Sequence, residues 1–301
     1  MDDYPITIFG EVLVDRFPDG SAVLGGAPFN VAWHLQAFGV NPLFISRIGT
    51  DEAGGQIQAA MQSWGLTTDF IQHDSAYPTG QVQVSFNNGE PAYDIINDQA
   101  YDHIETNDID AINRTSILYH GTLATRSYTS RQSLNVIKIL HLGKIFMDVN
   151  LRQPWWNRDN VLDIMSYTDC VKLNLDEFDA LDSSSGDLHS RMQRFLAKYQ
   201  LETVIITCGH KGACALLKNG DFFSVTPADL SGKIVDTVGA GDAFSTVTLL
   251  GLYYDWEFGL LMERAQTFAS EITQRPGAIV DDKMFYARFI NDWNLTPEQE
   301  V

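Results

Sequence analysis

The sequence is poor in cysteine, in basic residues and in long apolar runs. Only three of its 301 residues are cysteine, and no Cys/His spacing indicates a zinc site. Cys170, Cys208 and Cys214 each lie in or beside an apolar run, which predicts buried, reduced thiols. No apolar run approaches the roughly 20 residues that span a membrane. The start of the chain is acidic and lacks the regions of a signal peptide, so we expect a cytoplasmic protein with no membrane partner.

Positive charge is scarce as well. The chain has 20 Lys and Arg against 39 Asp and Glu, which gives a formal net charge of −19. This excess argues against nucleic acid or an anionic membrane as a partner. An acidic protein that binds phosphate groups must neutralise them locally, with backbone amides, a few cations and a metal ion.

The sequence contains neither a Walker loop nor a protein-kinase glycine loop, but residues 236–244 (Asp-Thr-Val-Gly-Ala-Gly-Asp-Ala-Phe) precede an apolar run of helical character. A glycine-rich turn before a helix leaves several backbone N–H groups free to bind a phosphate or an oxyanion. Asp242 would lie in the first helical turn, where the helix dipole favours an ionised carboxylate. The alternative is an ordinary loop with a capping aspartate.

A second glycine pair marks the other end of the chain. Residues 24–32 (Leu-Gly-Gly-Ala-Pro-Phe-Asn-Val-Ala) change from strand to helix, and Pro28 suits a first helical position. Gly25 and Gly26 let a ligand approach the backbone, with Asn30 beside them. The alternatives are a tight turn for the glycines and a capping role for Asn30.

Strands and helices alternate along most of the chain, which predicts an α/β fold with a mostly parallel central sheet between two helix layers. Ligands bind such sheets at the carboxyl ends of the strands, where both glycine motifs fall. Predicted strands are 6–9, 42–48, 117–120, 145–149, 170–173 and 204–207, with helices at 54–64, 130–141, 157–165, 188–199 and 263–274. Two hairpins are predicted as well, 79–86 with 92–96 around Asn87-Asn88-Gly89, and 213–217 with 222–225.

The stretches at 24–32 and 236–244 resemble the two signature motifs of the ribokinase-like (PfkB) carbohydrate kinases. The short segment between Asp15 and Gly25 resembles the fructokinase branch. The resemblance implies one ribokinase-like domain over residues 1–301, with a small β lid formed by about 11–25 and 72–103. Such lids often pack against a second subunit, which implies a homodimer.

The resemblance also implies ATP-dependent phosphorylation of a sugar hydroxyl, with D-fructose as the first candidate. Asp242 would be the general base, and the amides of Gly239, Ala240 and Gly241 would form the anion hole. The residues implied for sugar binding are Asp15, Gly25, Gly26, Asn30, Asp98 and Arg152. For Asp98 an ordinary exposed aspartate is the alternative. Arg152 ends Asp148-Val149-Asn150-Leu151-Arg152, similar to an Asp-x-Asn-x-Arg motif of fructokinases, and a surface ion pair is its alternative.

The cofactors implied are ATP, Mg²⁺ and K⁺. Asn174 and Glu177 resemble the family's Asn-x-x-Glu motif and would orient Mg²⁺ through water, with a helix cap as the alternative. Asp236 would contribute to a monovalent-cation site. The residues implied for nucleotide binding are Asn174, Glu177, Thr207, Gly209, Gly212, Thr237, Gly239 and Gly241.

Three other functions stay open. A 2-keto-3-deoxygluconate kinase would use Arg152 to hold the acid group of its substrate. A nucleoside kinase is less favoured, because no aromatic residue is clearly placed to stack a base. A non-catalytic sugar- or nucleotide-binding regulator on the same fold is the alternative from a different class, although it would have no need of Asp242.

Overall fold

The computed structural model describes residues 4–87, 90–106, 109–227 and 234–295. Its strands are β1 Ile6–Phe9, β2 Leu13–Arg16, β3 Ala22–Gly25, β4 Leu43–Gly49, β5 Ile71–Asp74, β6 Gly80–Asn87, β7 Glu90–Ile95, β8 Ile117–His120, β9 Lys144–Asp148, β10 Cys170–Asn174, β11 Thr203–Thr207, β12 Ala213–Leu217 and β13 Phe222–Val225. Its α-helices are α1 Ala27–Ala37, α2 Glu52–Trp64, α3 Ile109–Ile112, α4 Tyr128–Leu140, α5 Arg158–Ile164, α6 Leu175–Leu181, α7 Leu188–Tyr199, α8 Ala240–Tyr253, α9 Phe258–Ile272 and α10 Lys283–Trp293.

Nine strands form the central sheet, in the order β13-β12-β11-β10-β9-β8-β1-β4-β5. All neighbouring pairs from β11 to β5 are parallel, and the pairs β11–β12 and β12–β13 at one edge are antiparallel. Because the parallel strands share one direction, their carboxyl ends meet at one edge of the sheet. The prediction of a mostly parallel sheet with a hairpin at its edge is confirmed.

Helices cover both faces of this sheet. Ile6 and Ile8 of β1 belong to the core that includes α1, α2, α8, α9 and α10. Phe9 belongs to a core on the opposite face with α4, and Met147 of β9 to a third core with α5, α6 and α7. Successive side chains of a strand therefore pack against helices on opposite faces of the sheet, as expected for a parallel sheet. Within the described residues no helix is long and apolar enough to cross a membrane.

A separate small sheet has four strands in the order β3-β2-β6-β7. The predicted hairpin forms its β6 and β7, although Asn88 and Gly89 of the predicted turn lie outside the described residues. One face of the sheet packs against the main body through Val82 and Ile95, whereas Gln83 and Ser85 of β6 lie on the opposite face and are exposed. The alternating pattern of residues 79–86 thus reports a half-buried sheet, as predicted.

Two helices differ from the sequence-based expectation. The spacing of Val31, Leu35 and Phe38 predicts one apolar face for α1. The helix is instead buried all round from Ala27 to Leu35, because it contacts the sheet on β1 as well as α2 and α8. α10 was not predicted at all. Its residues Phe285, Tyr286 and Phe289 pack on Phe38 and Phe268, so the spacing of its aromatic residues carried a helical signal.

Candidate active site

The predicted glycine turn and helix occur at the start of α8. Gly239 is the N-cap residue with φ of 80°, a left-handed conformation that favours glycine. A β-carbon on Gly239 would stand 2.4 Å from the Cα of Ala278, so a larger residue is also sterically excluded. The backbone N–H groups of the first helical turn are free of intrahelical partners and point toward the end of the helix. An anion placed there would be stabilised by them and by the dipole.

Asp242 lies in this first turn and contacts α1. Its Oδ2 accepts a hydrogen bond from Asn30 Nδ2 at 2.7 Å, across 212 residues of sequence. Burial raises the pKa of the Asp242 carboxyl to about 6, although the Asn30 hydrogen bond acts in the opposite direction. The net shift is therefore opposite to the one expected from the helix dipole. The carboxyl remains mostly ionised at pH 7 and can accept a proton more readily than an exposed aspartate.

A cavity of about 670 Å³ opens beside Asp242. Its walls come from the carboxyl ends of β9, β10 and β11, the start of α8 and the face of α9. The predicted residues on its wall are Asn174, Glu177, Thr207, Gly209, Gly212, Thr237, Ala240, Gly241 and Asp242. The structure thus brings the predicted nucleotide motifs and the expected base to one cavity, with Gly239 supporting the turn behind them.

Asn174 and Glu177 form a reciprocal cap at the start of α6. Asn174 Oδ1 accepts from the Glu177 backbone N–H at 2.8 Å, and Glu177 Oε2 accepts from the Asn174 backbone N–H at 2.8 Å. Glu177 Oε1 also accepts from the Leu151 backbone N–H at 2.8 Å. Burial raises the pKa of the Glu177 carboxyl. The capping alternative is therefore correct, and both side chains still line the cavity.

The donor chemistry of this wall fits a magnesium ion that takes only part of its coordination from protein. Carboxylate and amide oxygens are suitable ligands, and each carboxylate oxygen of Glu177 can accept a second partner. The described residues contain no group of three or more His, Cys, Asp or Glu able to hold a metal ion by themselves. Phosphate oxygens and water would have to complete the shell.

The two glycines before α1 pack closely against residues of β2 and of the segment before it. A β-carbon on Gly25 would stand 2.9 Å from Asp15 Oδ2, and one on Gly26 would stand 2.7 Å from the Glu11 carbonyl oxygen. Gly26 also has φ of 105°. Asp15 is half-buried, and burial raises the pKa of its carboxyl to about 6. The tight turn at the glycines thus holds the Asp15 carboxylate beside the start of α1.

Arg152 is an exposed cation near three carboxyl groups that are buried or half-buried. Its charge lowers the pKa of Asp15, Glu11 and Asp242, so it lies within electrostatic reach of all three. Glu11 was not predicted as a site residue. Its side chain is 2% exposed, and burial raises the pKa of its carboxyl to about 7. A carboxylate directly after a buried strand was the available signal.

Two other predicted residues have local partners. Asp98 Oδ1 lies 2.9 Å from His103 Nε2 on the surface, which supports the alternative of an ordinary exposed aspartate. Asp236 accepts from the backbone N–H groups of Val238 at 3.0 Å and Gly277 at 3.1 Å. These two hydrogen bonds hold the glycine turn next to the segment after α9.

A buried ion pair beside the cavity was also missed. Lys172 Nζ lies 2.6 Å from Asp148 Oδ2, and both side chains are almost fully buried. The same oxygen accepts from Ser245 Oγ at 2.7 Å. The signal in the sequence was one lysine inside the apolar strand Cys-Val-Lys-Leu.

Comparison with known proteins agrees with this geometry. The model of the "pfkB family carbohydrate kinase" matches residues 5–283. The chain is 29% identical over 263 residues to a fructokinase of Klebsiella pneumoniae, covering 82% of this chain and 84% of that protein. It is 30% identical over 261 residues to a putative sugar kinase of Pyrococcus horikoshii, covering 84% and 82%.

Solved structures share the fold at low identity. A putative ribokinase II of E. coli in complex with ATP and Mg²⁺ superposes with a TM-score of 0.81 at 19% identity, covering 95% of this chain and 99% of that chain. A fructokinase double mutant of Vibrio cholerae with fructose, ADP and potassium bound superposes with a TM-score of 0.76 at 22% identity, with 95% and 99% coverage.

Proposed function

This chain belongs to the pfkB family of carbohydrate kinases, and from that premise we propose that it transfers the γ-phosphoryl group of ATP to a neutral sugar. D-Fructose, giving fructose 6-phosphate, is the first candidate substrate. The observation that carries the proposal is the contact between Asn30 and Asp242 at the start of α8, beside the cavity. This hydrogen bond links the two glycine motifs, because its two residues are 212 positions apart in the sequence and belong to one motif each.

Asp242 acts as the general base in this proposal. Its carboxylate accepts the proton of the attacking hydroxyl as that oxygen bonds to the γ-phosphorus. Because even a pKa of about 6 is far below that of an alcohol, proton transfer is late and alignment supplies most of the rate. The amides of Gly239, Ala240 and Gly241 stabilise the charge that develops on the phosphoryl oxygens.

The nucleotide occupies the cavity, with its phosphates toward α8. Thr207, Gly209, Gly212 and Thr237 line the walls along which the nucleotide would lie. Asn174 and Glu177 would hold hydrated Mg²⁺, which supplies charge neutralisation between the phosphates. A related kinase structure carries ATP and Mg²⁺ and another carries potassium, which supports ATP, Mg²⁺ and K⁺ as ligands here, with Asp236 near the cation.

The charge of the sugar side favours a neutral substrate. Asp15 and Asn30 would hold hydroxyl groups, with Gly25 and Gly26 allowing close approach and Arg152 at the margin. Glu11, Asp15 and Asp242 are three acidic groups, and Arg152 is the cation that acts on all three, whereas Lys172 acts on Asp242 from the side of the cavity. A sugar acid such as 2-keto-3-deoxygluconate would bring a further negative charge into this group. Its carboxylate would have to pair with Arg152 to compensate.

The small sheet would serve as the lid, because Asp15 lies on its strand β2. Its edge strands β3 and β7 each pair with one strand of the sheet, so a second subunit could pair at either edge. Lid closure over the sugar would exclude water and limit ATP hydrolysis. A cytoplasmic homodimer that binds sugar and ATP is consistent with these features.

An ADP-release assay with Mg·ATP tests the proposal directly. The panel should include D-fructose, D-ribose, 2-keto-3-deoxygluconate and adenosine, with the Asp242→Asn variant as the control for contaminating kinases. We expect the highest kcat/KM with D-fructose and phosphorylation at its 6-hydroxyl, identified by NMR. A preference for the sugar acid would assign the pocket to 2-keto-3-deoxygluconate. Tight sugar binding without ADP release from any substrate would indicate a regulator.

A further inference from the structure

A buried lysine lies beside the expected anion hole and has no part in the mechanism above. Lys172 is the third residue of β10 and is 4% exposed. It nevertheless lines the cavity next to Asp242. A β-carbon built on Gly241 would stand 3.7 Å from Lys172 Nζ, so the ammonium is adjacent to the glycine whose amide would bind the phosphoryl oxygens.

The lysine is held in place by the carboxylate of Asp148. The Nζ–Oδ2 distance is 2.6 Å, and this short, charge-assisted contact uses one of the three N–H groups of the ammonium. No other acceptor within the described part of the chain bonds this ammonium, so its remaining two N–H groups can reach a ligand in the cavity. The geometry therefore presents a cation, with unused donors, at the position where the phosphates should lie.

The ion pair is also tied to the catalytic helix. Asp148 Oδ2 accepts from Ser245 Oγ of α8 at 2.7 Å, and Tyr119 Oη lies 3.4 Å away. Asp148 thus joins β8, β9 and β10 to the helix that carries Asp242 three residues before Ser245. A displacement of α8 would move the base and the anion hole together relative to the lysine on β10.

Such a pair is costly if it only stabilises the fold. Burying two charges carries a desolvation penalty of several kcal/mol per ion, and apolar replacements of similar size are often neutral or stabilising. A buried ammonium can stabilise the negative charge of a phosphoryl group that binds next to it, because Coulomb interactions are strong in a site from which water is excluded. This chain has a formal charge of −19, and a cation at that position offsets the surrounding negative potential.

We propose that Lys172 is a catalytic residue that binds the transferring phosphoryl group, and that Asp148 and Ser245 are positioning residues for it. The proposal rests on the proposed kinase reaction. In that reaction the sugar oxygen bonds to the γ-phosphorus while the bond to the β,γ-bridging oxygen breaks, and the electron pair leaves with ADP. Asp242 takes the hydroxyl proton. Lys172 keeps its protons and neutralises charge on the phosphoryl oxygens through both states.

The test compares Lys172→Met with Lys138→Met. Lys138 is also a buried lysine, 4% exposed, but its Nζ contacts Thr168 Oγ1 at 2.9 Å and the Ile164 carbonyl, away from the cavity. We expect Lys172→Met to lower kcat at least about 10²-fold, the scale of losing one preorganised phosphoryl contact, and to leave the sugar dissociation constant unchanged. Lys138→Met should keep wild-type turnover.

A second measurement separates catalysis from structure. The affinity for ADP with aluminium fluoride and sugar, a mimic of the transferring phosphoryl group, should fall in Lys172→Met by a factor similar to that in kcat/KM. The affinity for ADP alone should not change. Equal losses for both ligands, or unchanged turnover, would overturn the proposal.

The double variant Asp148→Asn/Lys172→Met covers a folding failure of the single one, because it leaves no unpaired buried charge. If the lysine only neutralises Asp148, this variant regains turnover, which overturns the proposal. If the lysine binds the phosphoryl group, turnover stays low. Wild-type protein that phosphorylates no sugar would instead defeat the proposed function, so the two failures are distinguishable.

Discussion

The two sides of the candidate site differ in charge and in the kind of group that they present. On the side proposed for the sugar, called the sugar side, Glu11, Asp15 and Asp242 are carboxyl groups whose pKa values are raised by burial. On the side proposed for the phosphates, called the phosphate side, the start of α8 presents backbone N–H groups, and Lys172 places a buried ammonium 3.7 Å from where a β-carbon on Gly241 would stand. In the proposed reaction, acceptors would face the sugar and donors would face the phosphates.

This division would explain how a strongly acidic protein binds the polyanion of the proposed reaction. The positive potential at the phosphate side comes from main-chain dipoles and one buried cation, so it needs no basic surface. On the sugar side each carboxylate can accept from two hydroxyl groups, which makes a few acidic residues sufficient. Asp242 lies where the two sides meet, because it belongs to the first turn of α8 and contacts Asn30.

The largest effect should come from a change at Asp242, where the sugar side and the phosphate side meet. Asp242→Asn should lower kcat at least about 10²-fold, because the amide cannot accept the hydroxyl proton. The dissociation constants for sugar and ATP should stay within about threefold, since the isosteric amide keeps the shape of the site. Steady-state kinetics and calorimetry measure both. The exposed Asp292→Asn is the control, and near-normal turnover in Asp242→Asn would exclude it as the base.

The next largest effect should change the KM for the sugar and not the KM for ATP. Asp15→Ala should raise the sugar KM by about 10- to 100-fold, the loss of one or two charge-assisted hydrogen bonds, while the ATP KM changes little. Asp19→Ala is a matched control, because Asp19 lies nearby in the chain but is exposed and bonds only locally to Ser21. An equal increase in both KM values would mean that Asp15 supports the fold of the site.

Sequence reasoning predicted most strands to within two residues, because buried runs between turn residues are strong local signals. It also predicted that the two glycine motifs meet at one site, and the Asn30–Asp242 contact agrees with this, although Gly25 ends β3 of the small sheet and not a strand of the parallel sheet. It missed the pair of Asp148 and Lys172 and the role of Ser245, which lie on three elements and meet only after folding. It also misjudged the pKa of Asp242, because the helix terminus is visible in sequence whereas the burial that outweighs it is not.

A third effect is a pH dependence on the sugar side. Asp242 and Asp15 titrate near pH 6 and Glu11 near pH 7, so the acidic limb of kcat/KM should have an apparent pKa between about 6 and 7 that belongs to the coupled group. Turnover falls below this range because the base becomes protonated, by up to tenfold per pH unit.

Rates from pH 4.5 to 8.5 measure this limb. Asn30→Ala should move it upward, because the Asn30 hydrogen bond lowers the pKa of the Asp242 carboxyl. A limb near pH 4, the range of an exposed aspartate, would contradict the burial of the base.

The smallest effect on turnover, and a distinct effect on stability, should come from Glu11→Gln. The folded pKa of Glu11 is raised from 4.5 to about 7, so the folded state binds this proton more tightly than the unfolded chain. The free energy of unfolding therefore decreases as pH rises from about 4.5 to about 7 and stays lower above that range. Glutamine removes the buried charge, so the variant should be more stable than wild type at pH 8, on the order of 3 kcal/mol, and equal to it near pH 4. Thermal unfolding at both pH values measures this difference, with the exposed Glu263→Gln as a control that should show none.

The opposite result, a Glu11→Gln variant less stable than wild type at pH 8, would contradict this argument. It would mean that Arg152 and the Ala124 backbone N–H compensate the ionised Glu11 carboxylate. The negative charge of the sugar side would then not destabilise the folded protein.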